Sequence, residues 1–153
     1  MSSLSSATPD PSDSARSAES ADFAARCDTI EEAYEFFLAY ASQGLPSDHG
    51  SETGRQVREY LRRSDAALTG IGDLIIGFVE RAGLDPLPYR RFADVIERDA
   101  RDASAAIRLV LAQPAIGSQL VDNLNASIHL RALLTDLFLI DEALKLHKNH
   151  RSD

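Results

Sequence analysis

An all-α protein, an up-and-down four-helix bundle, is the fold class this sequence predicts. Three observations carry that expectation. Apolar residues recur at helical spacing over most of the chain, glycine and proline cluster between the periodic stretches, and no run of alternating β-branched residues bounded by turns occurs anywhere. The connections between periodic stretches are short, which forces sequential helices to be antiparallel neighbours. At 153 residues the chain is long enough for one domain with a sizeable core.

Residues 1–27 are rich in Ser, Ala, Asp and Pro, with Leu4 and Phe23 as their large apolar side chains. Such a segment buries too little surface to offset the entropy of ordering it, so a disordered tail is expected, with a helical domain over 28–150. Thr29-Ile30-Glu31-Glu32 matches a capping box, and it predicts a short first helix ended by Gly44 and Pro46. Ile30, Ala33, Phe37 and Tyr40 share one face of it, with Tyr34 and Phe36 alongside.

The polar stretch 45–54 reads as a loop. A second helix is expected over about 52–82, where Val57, Leu61, Leu68, Ile71, Ile75, Phe78 and Val79 repeat at three-and-four spacing. Gly70, Gly72 and Gly77 lie inside it, consistent with either a kink or a close helix–helix approach. Gly83 suits a C-terminal cap, and Asp85-Pro86-Leu87-Pro88 reads as a turn. The third helix, 88–112, carries Phe92, Val95, Ile96, Ala103, Ile107 and Val110 inward, with Asp99 in register with that stripe. The fourth, 116–146, would be about 45 Å long at the usual rise of an α-helix. Its stripe runs through Ile116, Leu120, Leu124, Ile128, Leu134, Leu137, Phe138 and Leu144.

That fourth helix has a second apolar flank, formed by Leu130, Leu133, Leu137 and Ile140. Two explanations stand side by side. A centrally placed helix packed on several sides would bury it within one subunit, whereas an isologous contact would bury it between two copies, making Leu130, Leu133, Leu137 and Ile140 interface residues of a homodimer.

The chemistry of the side chains excludes more than it suggests. Lys+Arg number 16 against 24 Asp+Glu, a formal net charge of −8, which opposes binding to nucleic acid or an anionic membrane surface. One cysteine, Cys27, permits no internal disulfide and no cysteine-based zinc site, and it precedes Asp28, Glu31 and Glu32, which oppose thiolate formation. The N-terminus lacks the basic start and apolar run of a secretory signal, and no stretch approaches a membrane span, so a cytoplasmic protein is expected. A di-iron bundle needs Glu-x-x-His pairs, and the chain has none. Met1 is the sole methionine, leaving a methionine-ligated haem without a ligand, and no nucleophile elbow or phosphate loop occurs. His129 reads as a hydrogen-bonded helix residue rather than a ligand. No catalytic, cofactor or metal residue is therefore expected.

Two stretches, TIEEAYEFFLAYASQG at 29–44 and DNLNASIHLRALLTDLFLIDEAL at 122–144, resemble the small bacterioferritin-like helical proteins encoded with α-carboxysome genes. The resemblance implies a ferritin-like four-helix fold in a CO2-fixing bacterium and a carboxysome shell or enzyme component as partner. It does not carry iron chemistry, because the metal motif is missing here. Two functions follow as expectations: a non-catalytic, self-associating accessory protein of the carboxysome, or a divergent ferritin-like metal protein using Glu32, Glu35, Glu97, His129 or Glu142 in an unusual arrangement.

Overall fold

The computed structural model describes residues 11–151, and these contain six α-helices and no strand. None of the six is long and apolar enough to cross a membrane. They are α1 (Pro11–Ser42), α2 (Glu52–Leu68), α3 (Ile71–Ala82), α4 (Pro86–Leu111), α5 (Ser118–Ala126) and α6 (Ile128–Arg151). The all-α expectation holds. Three details of it do not.

The first helix is the longest of the six at 32 residues, not a short one beginning at the capping box. Thr29 lies in mid-helix, its hydroxyl donating to the Ala25 carbonyl one turn back (2.9 Å). The reason is tertiary. Phe23 and Cys27 extend the stripe of Ile30, Ala33, Phe37 and Tyr40 toward the N-terminus, and all six are buried. The alanines between them favour helix, and contacts from elsewhere in the fold hold the segment down. Arg81 of α3 pairs with Glu19, and the Arg26 guanidinium donates to the Thr69 carbonyl. Of the expected disordered tail, residues 11–26 are thus helical, and residues 1–10 lie outside the described region.

The expected second helix is two. Thr69 is extended (φ −66°, ψ 120°) and Gly70 adopts the left-handed conformation (φ 70°) that an L side chain resists, so α2 stops and α3 begins. Both orphaned ends find partners. Arg26 takes the Thr69 carbonyl, and Glu97 of α4 accepts the Gly72 amide at 3.0 Å. Gly72 also answers to close approach, since a Cβ there would lie 2.8 Å from Glu97 Oε2. Next, Asp85 caps α4 by accepting the Leu87 amide, with Pro86 in the first turn.

The expected fourth helix is also two, interrupted at Ser127 (φ −60°, ψ 128°). In an unbroken helix Ile128 would follow Val121 and Leu124 into the core. The interruption resets the register instead, leaving Ile128 73% exposed and burying Leu130, Leu133, Leu134 and Leu137. Each segment thereby turns its own apolar face inward. Asn125, buried just before the break, leaves its side-chain amide without a partner.

The order of the paired residues shows that α3 runs antiparallel to α1 and that α2 and α3 run antiparallel to α4. α1 packs on α2, α5 and α3, while α4 packs on α3, α6 and α2. The core is aliphatic, centred on Leu61, Ile75, Ile96, Ile107 and Leu133, with Phe37 and Tyr40 at one end. Leu130, Leu133, Leu137 and Ile140 are 0–4% exposed and belong to this intramolecular core. These four, expected as core or as subunit-contact residues, are packed inside the subunit, where the breadth of their arc serves contact with α4 and α5.

Candidate functional site

Two polar assemblies and one apolar surface stand out. The first assembly closes one end of the molecule, where the α1–α2 loop meets the α4–α5 loop. Asp48, in the loop that the sequence marked only as polar, is buried. Its Oδ2 accepts from Arg58 Nε at 2.5 Å and its Oδ1 from the Ile116 amide at 2.6 Å. Arg58 also donates to the carbonyls of Leu111 (3.3 Å), the last residue of α4, and of Gln113 (3.2 Å), just beyond its cap. Tyr40 donates its hydroxyl to the Ile116 carbonyl (2.6 Å), and Ser118 donates to the Tyr40 carbonyl while accepting the Leu45 amide. The His49 ring meets the Pro114 carbonyl at 2.7 Å. Burial by itself would raise the Asp48 carboxyl, but the Arg58 and Ile116 hydrogen bonds outweigh it and hold it below the ordinary carboxylate value. Burial, with the Asp48 charge adding to it, raises the Tyr40 hydroxyl. No charge is left over for chemistry; the assembly is a clamp.

The second assembly lies at the α4–α6 seam. Asp99 of α4 faces Asp136 of α6, each half-buried beside buried neighbours: Ala100 and Ala103 on one helix, Leu133 and Leu137 on the other. Asp136 Oδ2 is cut off from solvent and receives no donor. Burial first, then the hydrogen bond to Asp99 and its charge, push the Asp136 carboxyl up to about 7. One turn along, His129 Nδ1 lies 4.0 Å from Asp102, both more than half exposed. Asp99 had been visible in the apolar stripe of its helix; Asp136, set between Leu133, Leu137 and Ile140, carries the same signal and was missed.

The residues considered for a metal site are not brought together. Glu97 is held at the start of α3 with Arg101 3.7 Å away, His129 sits beside Asp102, and Glu32, Glu35 and Glu142 are exposed on α1 and α6. Among the described residues no three His, Cys, Asp or Glu side chains gather as a metal would require. Cys27 is buried, and burial, reinforced by Asp141, Glu31 and Asp28, pushes its thiol up to about 12, which leaves it unreactive at neutral pH.

The apolar surface is on α6 and the start of α4. Ile128, Phe138, Leu139 and Leu146 of α6 are 56–73% exposed, and Leu87 of α4 is 58% exposed. Ile128, Leu139 and Leu146 fall on the outward face of the helix, opposite the buried stripe. Beside them Pro88, Tyr89, Phe92, Leu139, Ile140 and Ala143 line a groove of about 290 Å3 between the two helices. Phe36 and Tyr60, also suggestive as surface in the sequence, instead stack on each other with centroids 4.5 Å apart.

No protein-family model, no curated protein and no solved structure matches the chain.

Proposed function

We propose that this is a non-catalytic helical interaction protein that pairs with a second copy of itself through the outer face of α6. The observation that carries the reading is the exposure of Leu139 (59%) together with Phe138, Leu146 and Ile128 on one helix, next to an apolar groove. Side chains of that size cluster on a surface where another surface covers them. A two-fold contact would lay α6 against α6, and Leu139, at the rim of the groove, would be central to it.

In this reading α2 with α3, and α5 with α6, act as two interrupted rods beside α1 and α4, an up-and-down four-helix bundle of ferritin-like plan. Antiparallel pairing along the first of them supports it: Arg58, Asp65, Gly72 and Glu80 meet α4 in reverse order. The resemblance of 29–44 and 122–144 makes a carboxysome shell or enzyme component the partner to seek. Affinity capture from a CO2-fixing host tests that part, and recovery of neither would count against it. Self-association is tested by sedimentation of the full chain and of Leu139→Glu at tens of micromolar. A dimer that Leu139→Glu converts to a monomer of unchanged helicity is expected. A monomeric parent would end the proposal.

A further inference from the structure

Where α4 crosses α6, a buried carboxylate oxygen has no donor in reach. Asp136 Oδ2 is sealed from water and unpartnered, and the charge acting on that carboxyl, among the described residues, is the one on Asp99 directly across the seam. The other ionisable groups on this face do not relieve it. Asp102 of α4 faces His129, which is on the surface, and Arg101 lies beside Glu97. The half-buried seam and the neighbouring Asp99 carboxyl both disfavour the ionised form of Asp136, and no ion pair to a cation is formed by either among the described residues. A proton between them removes the repulsion and supplies the missing donor in one step.

We propose that Asp99 and Asp136 form a proton-operated clasp between α4 and α6, closed when the two carboxyls share one proton and strained when it leaves. The clasp is a conformational device, independent of what covers the outer face of α6. In the unfolded chain an aspartate loses its proton near 3.9. In the folded chain Asp136 keeps its proton to about 7. Folding therefore takes up a proton between those values. The clasp's stabilising contribution is complete below pH of about 4 and is lost as pH rises through about 7. Above that range the seam holds two repelling anions, one turn from the groove formed by Phe92, Leu139 and Ile140.

Thermal unfolding of the full chain between pH 5.5 and 8.5 reads the clasp directly, with Asp136→Asn and Asp99→Asn alongside. The parent should lose about 5 °C in Tm over that range, the scale expected for a chain of this length. Either asparagine supplies a permanent donor to the remaining carboxylate, so each variant should lose the slope and exceed the parent at pH 8. The histidines remain in both variants, so a slope that they cause would persist. Carbon-13 labelling of the aspartate side chains gives a second readout needing no variant: the Asp136 carboxyl should titrate near neutrality. A parent with Tm flat across the range, asparagine variants that keep the full slope, or no aspartate carboxyl titrating above pH 6 would each overturn the proposal.

Discussion

The C-terminal end and the middle of α4 handle buried charge in opposite ways. At its C-terminal end Asp48 is nearly enclosed, yet each of its oxygens has a donor, and the guanidinium that neutralises it also holds the carbonyls of Leu111 and Gln113. Toward the middle of α4 the Asp99–Asp136 contact sets like charge against like, with one oxygen unmatched. The first arrangement favours the ionised carboxylate and the second the neutral acid, so one carboxyl is held low and the other high. Burial is common to both. What differs is the partner, and the partner decides whether a buried acid rigidifies a fold or makes it sensitive to protons.

The largest effect expected at the clamp comes from a residue that makes no side-chain contact at all. A Cβ on Gly54 would stand 1.8 Å from the Asp48 carbonyl oxygen, so the α1–α2 loop could not keep its course over the start of α2. Gly54→Ala should lose about 3 kcal/mol or more by urea unfolding. A loss under about 1 kcal/mol would show that the loop is not clamped at this spot. Asp48→Asn comes next, at about 2–3 kcal/mol near neutral pH, because it leaves Arg58 without its counter-charge. Since the Asp48 carboxyl is held low in the folded state, its contribution is present above its unfolded value and disappears as pH falls through the folded one. The parent and Asp48→Asn should therefore converge in stability on acidification below pH of about 4. That is the reverse of the seam, where stability is lost on going alkaline. Tyr40→Phe is the smallest, about 1 kcal/mol, for one buried hydroxyl donating to the Ile116 carbonyl. Its stability difference from the parent should stay constant from pH 5 to 8, and a pH-dependent difference would mean that the clamp titrates where the seam does.

Much of the helical content was legible because apolar spacing is local information. Most of the expected stripes of α2, α3 and α4 is buried, with Val57, Leu61, Ile71, Ile75, Ile96 and Ile107 all in the core, while Phe78, Phe92 and Val95 are only partly covered. Boundaries were not. The Thr29 capping box was a plausible start that lost to the burial of Phe23 and Cys27 further upstream. Gly70 hinted at the α2–α3 break, but nothing in Asn125-Ala126-Ser127 announces the second one. The choice of Leu130 over Ile128 for the core is made by the surface of α4, not by the helix that carries them. Of the sites, Asp99 was visible as an acid in an apolar stripe. Asp48 was one polar residue among many in a loop.

Composition and periodicity alone determined that the chain is helical, acidic, poor in metal-binding motifs, and richer in apolar surface on its last helix than one packed face needs. Those properties follow from residue counts and nearest-turn spacing. Which apolar residues stay outside, where the long helices break, and which acids meet each other were decided only when the helices packed. Each depends on a partner dozens of residues away: Arg26 on Thr69, Glu97 on Gly72, Asp48 on Ile116, Asp99 on Asp136. Helical period describes one rod, and these outcomes belong to the contact between two.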